Sequence, residues 1–151
     1  MNQISQNEMS GMKLLFVDDE KGFVDTLIRR LERRKIDARA VYSGNDAITF
    51  LADNKGMDLV ILDVKMPGMD GIETLKEIKK QFPLTEVIML TGHATVGSAI
   101  DGMKLGAFDY LTKPCDLEQL LEKSSAAVVR KWNQEEKIQE ARIQEICGRR
   151  V

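Results

Sequence analysis

The feature that most constrains the fold is an alternation between short apolar runs and longer segments with helical spacing. The apolar runs are KLLFV (13–17), DARAV (37–41), LVILD (59–63), EVIMLT (86–91) and AFDYLTKP (107–114). Short, nearly continuous apolar runs are typical of strands buried on both faces. Because parallel strands need crossover connections, which are usually helices, the alternation predicts an α/β domain with a five-stranded parallel sheet.

The intervening segments carry helical signals. After the first run, Phe23, Leu27 and Leu31 recur at helical spacing. Further helices are predicted through about residue 54, capped by Ser43 or Asn45, and then at 71–82, at 95–106 and from about residue 116. The last helix should run well past residue 130, because the charged tail lacks Gly or Pro until Gly148.

These segments divide the chain into a disordered N-terminal arm (1–11), one domain (12–130) and a charged helical extension (131–151). Apolar residues in the extension are too sparse to establish a coiled coil. Two interpretations of the extension therefore stay open, a solvated helix and a helix that pairs with a second chain.

Composition excludes several classes of protein. The chain has 151 residues, 30% charged and 43% apolar, the profile of a soluble globular domain. A net charge of −2 without a strong basic block argues against direct nucleic-acid binding. No apolar run approaches the about 20 residues of a membrane span, so membrane insertion is not expected. Two distant cysteines without CxxC spacing and an N-terminus without signal-peptide features indicate a reduced, cytoplasmic protein.

Polar residues stand where the predicted strands end. They are Asp18 and Asp19 after the first strand, Asp63 on the third, Thr91 on the fourth and Lys113 on the fifth. In doubly wound sheets, ligands bind at the carboxyl ends of the strands, so these side chains should converge. Unpaired carboxylates cannot lie close together without a proton or a cation, and oxygen ligands favour Mg²⁺, with Mn²⁺ as the alternative ion.

A magnesium site of this composition points to phosphate chemistry. Magnesium commonly completes its coordination with phosphate oxygens, and Lys113 and Thr91 could contact the same phosphoryl group. A carboxylate can also accept a phosphoryl group as a nucleophile. Asp63 suits that role because it stands alone on its strand, while Asp18 and Asp19 share the metal.

The motifs FVDDE, LDVKMPGMDG, MLTGHA and FDYLTKP occur in an order and spacing that resembles the receiver domain of two-component response regulators. The resemblance covers about residues 13–130. The stretch TGHATVGSAIDGMKLGAFDYLTKP is similar to receivers attached to enhancer-binding ATPase regulators, although no ATPase follows. The resemblance implies a flavodoxin-like (CheY-like) doubly wound sheet with strand order 2-1-3-4-5 and, here, an extended C-terminal helix.

The resemblance also implies roles for individual residues. Asp63 would be the phosphoacceptor, with Thr91 and Lys113 as the switch hydroxyl and the phosphate-binding lysine. Magnesium would be bound by Asp63, directly by Asp19, through water by Asp18 and by the backbone carbonyl of Lys65. Further implied roles are a switch aromatic at Tyr110, tuning of the dephosphorylation rate at Lys65 and His93, and a cis peptide bond between Lys113 and Pro114.

The function implied by the resemblance is transfer of a phosphoryl group from a sensor histidine kinase or phosphotransfer protein to Asp63. The surface formed by helix 4, strand 5 and helix 5 would then signal to a downstream output protein or to a second copy in a homodimer. Because the chain would be its own acceptor and its own slow phosphatase, the label enzyme applies only loosely.

Three alternatives remain for comparison. A phosphatase of the haloacid dehalogenase type would carry a second aspartate two residues after the nucleophile, where this chain has Lys65. An FMN-binding flavodoxin would carry a Ser/Thr-rich phosphate loop after the first strand, where this chain has DDEKG. A degenerate receiver acting only as a protein-docking module would lack part of the acid, threonine and lysine set, and none is missing here.

Overall fold

The structure is a computed structural model that describes residues 11–64, 70–92 and 96–148. Strands and helices alternate along these residues, as the sequence predicts. Their bounds are β1 (Lys13–Val17), α1 (Lys21–Arg33), β2 (Asp37–Val41), α2 (Gly44–Asp53), β3 (Leu59–Leu62), α3 (Gly71–Gln81), β4 (Glu86–Thr91), α4 (Val96–Lys104), β5 (Asp109–Thr112) and α5 (Leu117–Gly148). The predicted N-terminal arm lies outside the described residues apart from Gly11.

The five strands form one sheet in the order β2-β1-β3-β4-β5, and every neighbouring pair is parallel. The flavodoxin-like fold and the strand order implied by the resemblance are confirmed. From β1 the chain first adds β2 on one side of the sheet and then adds β3, β4 and β5 on the other. The carboxyl ends of β1 and β3 therefore flank the topological switch point of the sheet.

Both faces of the sheet are buried, which explains the uninterrupted apolar runs. Successive residues of a strand point to opposite faces. Leu14 and Phe16 therefore pack with α1 and α5, whereas Leu15 and Val17 pack with α2 and α3. A strand that is covered twice needs apolar side chains at every position rather than at alternate ones.

The ends of the elements follow local chemistry. Ser43 caps α2, since its hydroxyl accepts a hydrogen bond from the Asp46 N–H at 3.1 Å. The chain leaves α4 through Gly106, whose φ of +103° is easily adopted only by glycine. Strand β5 is shorter than the predicted run 107–114, and the bond between Lys113 and Pro114 is cis, as the resemblance implies.

Helix α5 continues through the predicted boundary at residue 130 without a break and ends at Gly148. At that boundary Lys131 is buried, and its ammonium lies 2.8 Å from the Asp58 carboxylate. The indole N–H of Trp132 donates to the same carboxylate at 3.1 Å, and the backbone N–H of Lys13 donates at 3.0 Å. We call Lys13, Asp58, Lys131 and Trp132 the amino-end cluster, because Asp58 immediately precedes β3.

The amino-end cluster fixes α5 to the sheet where the helix leaves the domain. Beyond it, α5 is solvent-exposed, with Ile143 and Ile146 about 60% exposed. No helix within the described ranges, α5 included, is both long and apolar enough to cross a membrane.

Candidate functional site

The strand register brings the predicted polar residues to one edge of the sheet. Val17 of β1 pairs with Leu62 of β3, so Asp18 and Asp63 follow side by side. Thr91 pairs with Thr112, and the backbone N–H of Lys113 donates to the Thr91 carbonyl at 3.0 Å. The side chains that the sequence placed at strand ends therefore converge at the carboxyl edge.

Asp63 is held rigidly just beyond the end of β3. Its backbone N–H donates to the Val17 carbonyl at 2.9 Å, and Asp63 as a whole is only 4% exposed. The start of α3 packs directly on this segment, since a Cβ at Gly71 would lie 2.3 Å from the Asp63 carbonyl oxygen. Only glycine allows that approach without displacing the backbone that carries Asp63.

Lys113 places its ammonium among these carboxylates. Its ammonium lies 2.6 Å from Asp18 Oδ2, 3.5 Å from Glu20 Oε1 and 3.6 Å from Asp63 Oδ2. It also lies 4.5 Å from the centre of the Phe23 ring, a cation–π contact. The lysine side chain is only 10% exposed, so these neighbours replace most of its water.

Burial and charge act on this lysine and its nearest carboxylate. Burial raises the pKa of Asp18, and the charge of Asp63 adds to that rise against the opposing effect of Lys113. Burial alone would lower the pKa of Lys113, but the hydrogen bond to Asp18 and the surrounding carboxylates outweigh it and raise that pKa. Among the described residues of the site, the carboxylates outnumber the ammonium groups, and their presence favours the protonated form of Lys113.

The carboxylates of Asp18, Glu20 and Asp63 offer oxygen atoms that all lie within 4.8 Å of one another. Three ionised carboxylates beside one ammonium leave two negative charges uncompensated among these four groups. Carboxylate oxygens are hard ligands of the kind that Mg²⁺ prefers, and it keeps several waters besides. The donor set therefore fits the divalent cation that the sequence predicts.

The acids of this cluster differ from those predicted. Asp19 is exposed and is not part of the group of converging oxygens, whereas Glu20 is. A glutamate at the start of a helix is ordinary, so its residue type alone did not single out Glu20. Its position two residues after Asp18 at a strand end is the signal that could have identified it.

We call Asp18, Glu20, Asp63 and Lys113 the carboxyl-end site, and the two predicted switch residues lie beside it. Thr91 is fully buried at the end of β4. Tyr110 of β5 is paired in register with Met89 and packs against the face covered by α2 and α3. Its hydroxyl is buried and has no hydrogen-bond partner among the residues that the structure describes.

Two predictions fall on residues that the structure does not describe. The Lys65 carbonyl as a metal ligand and the rate-tuning roles of Lys65 and His93 lie outside the described residues. They stay predictions.

Comparison with known proteins gives one consistent result. A family model described as the response regulator receiver domain matches residues 14–125. Among solved structures, a response regulator receiver domain protein from Clostridium thermocellum is 35% identical with a TM-score of 0.77, covering 82% of this chain and 98% of that one. The receiver domain of Francisella response regulator 1452 is 33% identical with a TM-score of 0.71, covering 79% and 98%. The receiver domain of NtrX from Brucella abortus is 30% identical with a TM-score of 0.71, covering 77% and 98%.

Proposed function

Because this chain belongs to the response regulator receiver domain family of two-component systems, we propose that it accepts a phosphoryl group on Asp63. The observation that carries this proposal is the convergence of Asp18, Glu20 and Asp63 around the single ammonium of Lys113. Among the described residues, the carboxylates of this edge outnumber its ammonium groups, which suits a reaction that brings in a cation and a phosphoryl group together.

The donor would be a phosphohistidine of a sensor histidine kinase or phosphotransfer protein. An Asp63 carboxylate oxygen attacks phosphorus, the phosphorus–nitrogen bond breaks, and its electron pair stays on the imidazole nitrogen of the donor. Positioning does most of the work in phosphoryl transfer. Asp63 suits that role because its backbone is fixed on one side by Val17 and on the other by the close approach of Gly71.

Lys113 and Thr91 would receive the new phosphoryl oxygens. The Lys113 ammonium already lies 3.6 Å from Asp63 and is available as a charged hydrogen-bond donor. Asp18, Asp63 and the neighbouring acid Asp19 are the side chains that would hold Mg²⁺ or Mn²⁺. When bound, the cation neutralises charge on the phosphoryl oxygens.

Phosphorylation would then change the surface of the domain. A phosphoryl group adds roughly 1.5 to 2 negative charges and three acceptor oxygens, which would draw Thr91 and Lys113 toward Asp63. Tyr110 is suited to respond, because its buried hydroxyl has no partner among the described residues and loses no described hydrogen bond on moving.

The output surface is proposed to comprise α4, β5 and α5. Helix α4 exposes two large apolar side chains, Ile100 and Met103, each about half exposed. An output protein or a second copy of the chain would cover them. Both cysteines are free thiols, which fits a protein of the reducing cytoplasm.

The test is phosphorylation by a small donor. Wild-type chain incubated with Mg²⁺ and acetyl phosphate should gain the mass of one phosphoryl group, and Asp63→Asn should gain none. Asp53→Asn is the matched control, because it makes the same substitution at an exposed position at the end of α2 and should be labelled like the wild type. An unlabelled wild type would instead favour a docking module, and equal labelling of Asp63→Asn would refute the phosphoacceptor.

A further inference from the structure

Glu20 occupies the N-cap position of α1 without acting as a cap. Side chains of Ser, Thr, Asp and Asn are the usual caps, because their short side chains reach the free N–H groups of the first turn. The Glu20 side chain makes no capping hydrogen bond in the structure described. Side-chain capping of α1 therefore does not explain a glutamate at this position.

The backbone directs the Glu20 side chain to the carboxyl-end site. Asp18 Oδ1 accepts a hydrogen bond from the Glu20 N–H at 2.9 Å, which ties the start of α1 to the end of β1. The Glu20 carboxylate then lies 3.5 Å from the Lys113 ammonium. It also offers an oxygen within 4.8 Å of those offered by Asp18 and Asp63.

We infer that Glu20 is a positioning residue of the phosphoryl-transfer site, which holds Lys113 from the solvent side and strengthens binding of the divalent cation. This inference rests on the proposed function. Two observations support it, the ion pair with Lys113 and the close approach of the Glu20 carboxylate to those of Asp18 and Asp63.

The physical effect of Glu20 is its charge. Lys113 is contacted by the buried carboxylates of Asp18 and Asp63 from within the site, and Glu20 supplies a third carboxylate at the exposed edge. A third negative charge favours a doubly charged cation more than it favours a single ammonium. Because the Glu20 side chain is 60% exposed, water and salt weaken this effect without removing it.

The experiment measures cation affinity directly. Free Mn²⁺ is followed by its electron paramagnetic resonance signal as the full chain is titrated, with no phosphodonor present. Removal of an outer-shell group commonly weakens metal binding 10–100-fold, so we expect Glu20→Gln to weaken Mn²⁺ binding about tenfold, since its side chain is exposed. Glu20→Asp keeps the charge and should recover part of the loss.

The matched control is Glu140→Gln, which removes the same charge from the exposed part of α5. It should bind Mn²⁺ like the wild type. A second measurement is the Mg²⁺ concentration that gives half the maximal labelling rate with acetyl phosphate, which should rise about as much in Glu20→Gln as the Mn²⁺ dissociation constant.

The possible results distinguish a failure of the inference about Glu20 from a failure of the proposed function. If Glu20→Gln binds Mn²⁺ like the wild type while Asp63→Asn loses labelling, only the role of Glu20 is refuted. If Glu140→Gln weakens binding equally, the effect is one of overall charge and the positioning role is also refuted. If the wild type neither binds Mn²⁺ nor becomes labelled, the proposed function itself fails.

Discussion

Strand β3 has an aspartate at each end, and the two aspartates differ in the charged groups that surround them. Asp58 precedes the four-residue strand and Asp63 follows it, and both are about 95% buried. Asp58 accepts hydrogen bonds from the Lys131 ammonium, the Trp132 indole and the Lys13 backbone. Asp63 instead shares one lysine with Asp18 and Glu20.

The groups around a buried carboxylate indicate whether its role is structural or functional. At the amino end, the charged and neutral donors satisfy the carboxylate, so the cluster needs nothing from outside the chain. At the carboxyl end, three carboxylates share the Lys113 ammonium among the described residues, and an added cation would relieve their repulsion. Burial is the same at both ends, so the balance of charges distinguishes them.

The largest expected effect comes from breaking the amino-end cluster. Asp58→Ala leaves the buried Lys131 ammonium without its main partner and the Trp132 N–H without an acceptor. Removing one partner of a buried pair typically costs 3–5 kcal/mol, and we expect about 3 kcal/mol because Glu135 still contacts Lys131. Urea unfolding followed by circular dichroism measures the loss.

Asp53→Ala is the control for Asp58→Ala, since it removes an exposed aspartate and should change stability by less than about 0.5 kcal/mol. A loss below about 1 kcal/mol for Asp58→Ala would show that the amino-end cluster contributes little beyond an ordinary surface pair.

A smaller effect of opposite sign is expected at the other end of the same strand. In the absence of divalent cations, Asp63→Asn relieves repulsion among three carboxylates and should stabilise the fold by about 1 kcal/mol, the usual gain from improved charge balance. The same change at Asp58 should destabilise the fold, because an amide binds Lys131 less strongly than a carboxylate. Unfolding in urea with a chelator compares the two variants, and a loss of stability in Asp63→Asn would contradict the comparison.

The smallest effects are expected from changes of pH. The carboxyl-end site should change the free energy of unfolding in the acidic range, and the amino-end cluster should change it in the alkaline range. Burial raises the pKa of Asp18, so in cation-free protein the folded state binds a proton at higher pH than the unfolded chain. The contribution of Asp18 to stability should therefore increase as pH falls from neutrality toward the ordinary aspartate pKa of about 3.9. The difference in urea midpoint between wild type and Asp18→Asn, measured across this pH range, isolates the contribution of Asp18. A difference that does not change with pH would refute the prediction.

At the amino end, burial lowers the pKa of Lys131, but the hydrogen bonds to Asp58 and Glu135 outweigh it and raise that pKa overall. The stability that Lys131 contributes should be complete below the ordinary lysine pKa of about 10.4 and be lost as pH rises through the higher folded value. Lys131→Met should lack this alkaline loss.

Much of the fold was predictable because it depends on local pattern. The bounds of β1, β2 and β4 coincide with the apolar runs, and Ser43 caps α2 as its chemistry predicts. Strand β5 was predicted too long. The residues that flank it are apolar because they pack in the core, or polar because they belong to the carboxyl-end site, and neither reason makes them part of the strand. The strand order came from the resemblance to a family, because periodicity cannot choose which strands are neighbours.

Local pattern accounts for the alternation of strands and helices and for the residues at strand ends, because the strand period of two and the helical period of 3.6 relate residues that are close along the chain. Which charges meet depends instead on the tertiary fold. In the sequence, Lys131 is one charged residue of the helical extension, and the fold brings it to Asp58, 73 positions away. The fold likewise places Lys113 beside Glu20, and contacts between such distant residues leave no periodic signal in the sequence.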